Sequence, residues 1–171
     1  MDILNVIKER RSVRKFLKDP IPKEILNALK EAILWAPSAG NLQSRKFYFV
    51  FNQSIKNDLV KAALGQSFIA EAPLAIIGCA DLRIGEHYGE RGVNLYAIQD
   101  VSASIQNLLL VAHSLGLAGV WVGAFCEDEA HKILKLPHYL RPISIIPVGY
   151  TSVHPTTPGR VAVKNAIDII E

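Results

Sequence analysis

The chain has few cysteines, and neither of them belongs to a recognisable metal or redox motif. Cys79 and Cys126 are far apart, and each lies in or beside an apolar run. There is no CxxC pair, and the five histidines show no HExxH or similar ligand spacing. We therefore expect no metal site, and two buried free thiols in a reducing compartment.

The sequence also lacks the short motifs of several common enzyme classes. No GxGxxG follows a predicted strand, so a Rossmann dinucleotide site is not supported. Neither GxxxxGK[ST] nor GxSxG occurs, which removes the signatures of a P-loop and of a hydrolase nucleophile. The acidic residues Asp81, Glu86 and Glu90 lie in a polar segment, where their spacing favours solvation over acid–base catalysis.

Nothing in the sequence predicts a secretory leader or a membrane span. Residues 1–4 begin an amphipathic pattern, without a basic region followed by an apolar one. The most apolar stretch, residues 105–122, is interrupted by polar residues such as Gln106 and His113. The formal net charge of +3 is too small to indicate a nucleic-acid interface. We expect a soluble, cytoplasmic protein with no membrane and no nucleic-acid partner.

What is present is the composition of one globular domain. The 171 residues are 50% hydrophobic and 20% charged, which allows a sizeable core without disulfides or a structural metal. Helical and strand patterns alternate, which predicts an α+β or α/β layered fold. We expect a single domain over residues 1–171, with residues 151–171 as a C-terminal arm that reaches onto a partner subunit.

Hydrophobic periodicity predicts five helices, four strands and one irregular segment. The predicted helices cover residues 2–11, 22–36, 54–64, 93–115 and 127–136, and the predicted strands cover residues 47–51, 74–80, 119–125 and 143–150. Residues 81–92 form the irregular segment, the one candidate for a mobile covering loop. Ile3, Leu4, Val6 and Ile7 are expected to form the buried side of the first helix, and Ser54 to cap the third.

Two of these elements are expected at the centre of the molecule. Residues 74–80 are apolar on both faces, which predicts a central strand. In residues 93–115, apolar side chains recur at alternating spacings of three and four, which is typical of tight helix–helix packing. They are Ile98, Val101, Ile105, Leu108, Ala112 and Leu115. We expect this helix to be central and shared between two subunits.

A cluster of basic residues is the first candidate for binding chemistry. It comprises Arg10, Arg11, Ser12 and Arg14, at a helix-to-coil junction. Guanidinium groups bind phosphate through paired, charge-assisted hydrogen bonds, although such clusters are also common on solvated helix ends. Arg160, which follows Pro158 and Gly159, adds a single cation.

Two further segments could contact a flat ring. Residues 37–43 (PSAGNLQ) combine small residues with two amides that match the edge of a flavin or nucleobase, or they are an ordinary helix-to-strand loop. Residues 119–125 (GVWVGAF) could offer unhindered backbone N–H groups, or they are a core strand in which Trp121 is filler.

Taken together, five segments in this order resemble the nitroreductase-like family of FMN-dependent NAD(P)H oxidoreductases. They are residues 10–16 (RRSVRKF), 36–43 (APSAGNLQ), 96–110 (YAIQDVSASIQNLLL), 119–125 (GVWVGAF) and 147–150 (PVGY). The resemblance extends from about Val6 to Arg160. It implies an α+β sheet flanked by helices, and an obligate, domain-sharing homodimer with two FMN sites at its interface. The helix at residues 93–115 would be the main dimer contact.

The resemblance also implies which residues bind FMN. It assigns the phosphate, ribityl chain and pyrimidine edge to Arg10, Ser12 and Arg14, with Arg11 beside them and Arg160 closing on the phosphate. It assigns backbone contacts near the reactive N5 to Trp121, Val122 and Gly123, contacts from the other subunit to Pro37, Ser38, Asn41 and Gln43, and a contact with the pyrimidine edge to Gln66.

The chemistry implied by the resemblance is carried by the flavin. Hydride equivalents would pass from NADH or NADPH through flavin N5 to a small oxidised acceptor, such as a nitroaromatic or a quinone, in a ping-pong cycle. No catalytic side chain is implied, and Arg14 would stabilise the negative charge of the reduced flavin. Dehalogenation, azoline oxidation, flavin breakdown and a flavin-binding module without efficient turnover are the alternatives.

The sequence departs from the family pattern at two places. Ser44 and Arg45 stand where family members often have Pro-Trp, so the wall beneath the cofactor is expected to differ. Residues 79–93 leave little room for the helical lid of many members, which predicts an open pocket and a broad substrate range.

Overall fold

A four-stranded antiparallel sheet forms the centre of the molecule. The computed structural model describes residues 2–171. The strands are β1 (Arg45–Val50), β2 (Leu74–Asp81), β3 (Ala118–Gly119) and β4 (Leu140–Gly149). Their order across the sheet is β1-β2-β4-β3, and every pairing is antiparallel. Helices cover this sheet, so the predicted α+β fold class is confirmed.

The helices are mostly short, and one of them is much longer than the rest. They are α1 (Ile3–Glu9), α2 (Lys23–Leu34), α3 (Gln53–Ala62), α4 (Phe68–Glu71), α5 (Gly85–Arg91), α6 (Ala97–Ser114) and α7 (Glu127–Ile133). Turns of 3₁₀ helix cover Ala39–Asn41, Leu82–Ile84 and Val163–Asn165, and a π-helical turn, Gly92–Tyr96, leads into α6. None of the helices in residues 2–171 combines the length and the apolar character needed to cross a membrane.

Strand β2 is the buried middle of the sheet, as its apolar sequence predicts. Seven of its eight residues are buried. Ile76 packs in the layer that contains α2 and α6, whereas the next residue, Ile77, packs in the opposite layer with α3 and α7. Because successive side chains of a strand point to opposite faces, a strand covered on both sides must be apolar at every position.

Helix α6 lies across one face of this sheet and contributes more buried residues to that layer's core than any other element. Val101, Ile105, Leu108 and Ala112 are buried, which confirms the middle of the predicted seam, whereas Ile98 at its start is only partly buried. Burial of each Leu or Ile side chain stabilises the fold by about 1.5–3 kcal/mol. At the end of the seam Leu115 is 40% exposed, and Gly116 (φ +79°) ends the helix.

The prediction that residues 81–92 are irregular is wrong. They form a 3₁₀ turn followed by α5, and a π-helical turn then continues into α6. Gly85 and Gly92 allow this compact path, because a Cβ at Gly85 would lie 2.9 Å from Val93, and one at Gly92 would lie 2.9 Å from Tyr88. These two glycines thus serve close packing, whereas Gly89 (φ +56°) interrupts α5 with a non-helical conformation.

The first helix and the third predicted strand also differ from expectation. Helix α1 ends at Glu9 and packs against α6, so only Val6 is buried, while Ile3 is 69% exposed and Leu4 and Ile7 are about half exposed. Of residues 119–125, only Gly119 belongs to a strand, because the chain beyond it meets β4 at a single bridge between Val122 and Ile145.

Two smaller expectations are corrected by side-chain positions. Asn52, not Ser54, caps α3, because its side-chain oxygen accepts a hydrogen bond from the N–H of Ile55 at 3.0 Å. Of the two thiols, Cys79 is buried in β2, but Cys126 is exposed at the start of α7.

The C-terminal tail lies on the surface. Thr151 donates through its hydroxyl to the carbonyl of Lys15 at 2.8 Å, and from Ser152 onward every residue is exposed. The exposed residues include large apolar side chains, namely Val161, Val163, Ile167, Ile169 and Ile170. That residues 151–171 act as an arm of a single domain stays a prediction.

Candidate functional site

Three arginine side chains meet where α1 ends. Arg10 and Arg11 follow the helix directly, and Arg160 approaches from the C-terminal tail. Burial lowers the pKa of Arg10, and the positive charges of Arg11 and Arg160 lower it further. None of the three forms an ion pair within residues 2–171. This arginine cluster therefore presents uncompensated positive charge, which suits an anion such as a phosphate.

Local hydrogen bonds hold two of these arginines in place. Arg11 donates to the carbonyls of Lys8 and Arg10, at 2.6 and 2.8 Å, and to the Thr157 hydroxyl at 2.5 Å. Arg160 donates to the carbonyls of the two residues before it, at 3.1 and 2.9 Å. Arg11 thus ties the tail to the end of α1, and Arg10 is the guanidinium left to reach a ligand.

The segment after the arginines runs beside β3. The N–H of Val13 donates to the carbonyl of Gly119 at 3.2 Å, and Ser12 forms a parallel bridge with the same glycine. The chain is extended here and the Ser12 side chain is exposed. The arginine cluster and residues 119–123, far apart in sequence, therefore become neighbours at the β3 edge of the sheet.

Beyond Gly119, Trp121 and Gly123 each present a free backbone N–H group. Val122 exchanges both of its backbone hydrogen bonds with Ile145, at 3.0 Å each. Since N–H groups alternate in direction along an extended chain, those of Trp121 and Gly123 point away from β4, and neither has a partner among the described residues. A Cβ at Gly123 would meet nothing within 4 Å. Trp121 is 38% exposed, so it is not core filler.

Gln66 and Arg14 lie close to the same edge. The amide N–H₂ of Gln66 donates to the carbonyls of Ala63 and Ala124, at 2.9 Å each, which leaves its side-chain oxygen as an acceptor. The Arg14 guanidinium lies 6.0 Å from the ring centre of Phe68, two residues after Gln66. One face thus brings together nine of the thirteen predicted site residues: Arg10, Arg11, Ser12, Arg14, Gln66, Trp121, Val122, Gly123 and Arg160.

The other four predicted residues, Pro37, Ser38, Asn41 and Gln43, occupy the loop between α2 and β1. We call residues 38–44 the amide loop. It contains three residues with left-handed φ angles, Gly40 (+54°), Asn41 (+55°) and Gln43 (+53°). The hydroxyl of Ser38 accepts a hydrogen bond from the N–H of Gln43 at 3.0 Å. The side chains of Asn41 and Gln43 are exposed.

Sequence reasoning missed one residue of this region, Asp100. This carboxylate lies in the first turn of α6, is 3% exposed, and accepts hydrogen bonds from the N–H groups of Ala39 (2.9 Å) and Ser44 (3.2 Å). The signal was a charged residue on the predicted buried side of an apolar helix, since buried charges require dedicated partners.

The amide loop and the arginine cluster lie on opposite sides of the chain. The loop leads into β1, whereas Ser12 lies beside β3 at the other edge of the sheet. From β1 the sheet continues through β2, β4 and β3 to the segment that contains Ser12. At about 4.8 Å between neighbouring segments, the two edges are about 19 Å apart. Along α6, Asp100 holds the loop near one end, and His113 lines the cavity beside Arg10 near the other, about 20 Å away. Within one chain, the two groups of residues do not converge.

Cavities lie beside both groups. One of about 240 Å³ is lined by Arg10, Arg11 and His113, and one of about 730 Å³ is lined by Gln43, Arg83 and Tyr139 among others. The first is smaller than the usual 300–1,000 Å³ of a small-molecule pocket, so one chain alone does not enclose a large ligand at the arginine cluster. Among residues 2–171, no group of three or more His, Cys, Asp or Glu side chains could hold a metal ion.

Comparisons with known proteins place the chain among its relatives. The model of the nitroreductase family matches residues 7–75 and 60–150. A protein of Methanothermobacter thermautotrophicus named "Putative NADH dehydrogenase/NAD(P)H nitroreductase" is 35% identical over 161 residues, which cover 92% of this chain and 81% of the relative. The "FMN reductase [NAD(P)H]" of Bacillus subtilis is 28% identical, over 87% of this chain and 66% of that protein.

A solved structure extends the similarity to the fold. The crystal structure of nitroreductase A from Vibrio parahaemolyticus superposes with a TM-score of 0.92 and 26% sequence identity. The match covers 100% of this chain and 77% of that one.

Proposed function

The chain belongs to the nitroreductase family, and from this we propose that it is an FMN-dependent NAD(P)H oxidoreductase with two flavin sites in a homodimer. The names of its relatives support both FMN and NAD(P)H, because one relative is named an FMN reductase and another an NAD(P)H nitroreductase. Bound FMN supplies the redox chemistry, by taking hydride equivalents from NAD(P)H and delivering them in a ping-pong cycle to a small oxidised acceptor such as a nitroaromatic or a quinone.

The single observation that carries this proposal is the arginine cluster. Arg11 and Arg160 lie close enough to Arg10 to disfavour its positive charge, and none of the three forms an ion pair with a carboxylate of residues 2–171. Such an arrangement is unfavourable in the empty protein and becomes favourable when a phosphate dianion binds. We assign the FMN phosphate to Arg10, with Arg160 closing on it, and we assign to Ser12 a hydrogen bond to the phosphate or ribityl chain.

The flavin ring is assigned to the face beside this cluster. The free N–H groups of Trp121 and Gly123 can donate to the ring near N5, while the two hydrogen bonds between Val122 and Ile145 fix the position of both. The side-chain oxygen of Gln66 can accept from the pyrimidine edge. Arg14 has no carboxylate partner among residues 2–171, so its charge is available to stabilise the reduced, negatively charged flavin.

The amide loop requires a second copy of the chain. Pro37, Ser38, Asn41 and Gln43 lie at the sheet edge opposite the arginine cluster, so a second subunit must bring them to the same flavin. The exposed apolar residues of α1, Trp35 (84% exposed) and the C-terminal tail offer surface for this association. Removal of residues 161–171 is expected to weaken the dimer, measured as a higher dissociation constant by analytical ultracentrifugation. An unchanged dissociation constant would refute the role of the arm.

No side chain of the site is assigned a catalytic role. The residues above bind, orient and exclude water, and the acceptor lies on the open side of the ring. Helix α5 lies beside the amide loop, because a Cβ at Gly40 would clash with the hydroxyl of Tyr88, and we expect this helix to cover part of the ring. Seven residues cover little of a ring, so we expect several classes of acceptor to react.

Absorbance spectroscopy of the purified protein tests the proposal. A flavin spectrum is expected as isolated or after FMN reconstitution, and anaerobic NADH or NADPH should bleach it. Parallel lines in double-reciprocal plots at several donor concentrations would support the ping-pong cycle. Protein that takes up no FMN would refute the cofactor assignment, and bound flavin that neither donor reduces would identify a binding module.

A further inference from the structure

A row of polar side chains lies along α6, facing the end of α2 and the amide loop. Asp100, Ser104 and Asn107 are spaced by four and three residues, so they lie on one side of the helix. Ser104 donates through its hydroxyl to the carbonyl of Ile33 at 3.2 Å, and the Asn107 amide donates to the carbonyl of Ala32 at 3.3 Å. The last turn of α2 is therefore fastened directly to α6.

Asp100 extends this row to the amide loop itself. Its Oδ1 accepts from the N–H of Ala39 and its Oδ2 accepts from that of Ser44, so a single carboxylate holds both ends of the loop. A buried carboxylate is unfavourable unless its oxygens receive hydrogen bonds, and these two backbone donors satisfy that requirement. Neither Ala39 nor Ser44 is among the residues assigned to FMN, so this role is separate from ligand contact.

The loop needs such a restraint because its backbone is strained. Asn41 and Gln43 adopt left-handed φ angles that residues with a Cβ rarely occupy. These two residues carry the amides assigned to the flavin. If the ends of the loop were free, the backbone would relax toward ordinary φ angles and carry both amides away from their positions.

Arg45 supports the loop from its other side. Its guanidinium donates to the carbonyls of Leu34, Ala36 and Pro37, at 3.0, 2.9 and 3.2 Å. Burial lowers the pKa of Arg45, and the nearby Asp100 charge opposes this effect, so the two groups interact across the loop. Ser44 and Arg45 are the residues at which this chain departs from the family pattern, and both of them contact this assembly.

We propose that Asp100 is a positioning residue for flavin binding, which acts by holding the amide loop in the conformation that presents Asn41 and Gln43 to the flavin bound by the partner subunit. The proposal rests on the proposed function for the identity of the ligand. The link between Asp100 and the loop conformation does not depend on it.

The first test compares Asp100→Asn with Ser102→Ala in the full-length homodimer. Asparagine keeps the size of the side chain, but it presents an N–H₂ group to one of the two backbone donors. Ser102 lies on the same helix, and its hydroxyl donates only to the carbonyl of Ile98. We expect Asp100→Asn to raise the Kd for FMN about ten-fold or more, measured by quenching of flavin fluorescence, and Ser102→Ala to change it less than about two-fold. Equal Kd values for Asp100→Asn and the wild type would overturn the proposal.

A double-mutant cycle separates positioning from a general loss of structure. If Asp100 acts through the loop amides, most of its effect should disappear when Gln43 is already replaced. Adding Asp100→Asn to the Gln43→Ala variant should then raise the Kd for FMN by less than about three-fold. Additive effects of the two substitutions would place the action of Asp100 elsewhere and refute the proposal.

Hydrogen exchange in the protein without FMN provides a readout that needs no flavin. The amides of Ala39 and Ser44 should exchange faster in Asp100→Asn, while those of α6 should not. If the wild type bound no FMN, the proposed function would fail, yet faster exchange would still support the link between Asp100 and the loop. Unchanged exchange at both amides would exclude that link.

A second variant covers the case in which Asp100→Asn does not fold. Arg45→Lys keeps the charge but cannot reach all three carbonyls. It should weaken FMN binding in the same direction by a smaller factor. An FMN affinity within two-fold of the wild type in this variant, together with an unfolded Asp100→Asn, would assign Asp100 to folding alone and overturn the proposal.

Discussion

Replacement of Arg10 by alanine removes the guanidinium assigned to the FMN phosphate. The guanidinium of Arg10 has no hydrogen-bond partner among residues 2–171, whereas those of Arg11 and Arg160 are each held by backbone carbonyls. The lost interaction is a hydrogen bond between charged groups at a half-buried site, worth about 1.5–3 kcal/mol. We therefore expect the Kd for FMN to rise about 10- to 140-fold.

In the absence of FMN, the same substitution should act in the opposite direction. The pKa of Arg10 is lowered by burial and by the charges of Arg11 and Arg160, which means that the folded protein disfavours its cation. Alanine relieves that repulsion. The thermal midpoint of the protein without FMN should therefore stay level or rise, while the stabilisation that FMN gives should shrink.

The assay compares FMN with riboflavin, which lacks the phosphate. Both flavins are titrated, with fluorescence detection, into the wild type, Arg10→Ala and the control Lys132→Ala. We expect only Arg10→Ala to lose affinity, and only for FMN. Lys132 carries the same charge, but it is exposed on α7 and pairs only with Glu129. An equal loss of affinity for both flavins would show that Arg10 supports the fold, and full retention of FMN through dialysis would refute the phosphate assignment.

Three further predictions concern stability and thiol chemistry. Leu108→Ala removes a fully buried side chain of α6 and should lower the free energy of unfolding by about 2–5 kcal/mol in urea titrations, so a loss below about 1 kcal/mol would contradict its place in the core. Arg83 donates to the carboxylate of Asp81 and holds the pKa of Asp81 below its ordinary value of 3.8. The pair therefore stabilises the folded protein above pH 3.8, and this stabilisation is lost as the pH falls through the lower pKa that Asp81 has in the folded state. Arg83→Gln should therefore be less stable than the wild type at pH 7, with a difference in urea midpoint that narrows as the pH falls below about 4, and a constant difference would contradict the assignment. Burial raises the pKa of Cys79 to about 12, so Ellman's reagent should label only Cys126 in the native protein and Cys79 only after denaturation, and fast labelling of both would contradict the burial of β2.

The sequence predicted best the elements whose periodicity is strong and whose burial is uniform. The alternating spacings of three and four from Val101 to Ala112 identified the core side of α6, and the apolar run of β2 identified the middle strand. Both patterns follow from local geometry, because a covered helix or strand has to be apolar at the period of its own backbone.

The errors occurred where a residue's role depends on neighbours far away in the chain. Gly85 and Gly92 suggested a loop, but they permit the close approach of Val93 and Tyr88 in a helical segment. The apolar residues of α1 suggested a buried helix, but its packing against α6 buries only Val6 and leaves Ile3 exposed. Local patterns do not state how many faces of an element will be covered.

By itself, the sequence determined the core of α6 and β2, and its ordered motifs indicated the family. Only the tertiary structure decided that the arginine cluster and the amide loop lie at opposite edges of one sheet, and that Asp100 holds the loop. The physical reason is that hydrogen bonds such as that from Ala39 to Asp100 join residues 61 positions apart. Such contacts arise from the path of the whole chain, which no local period encodes.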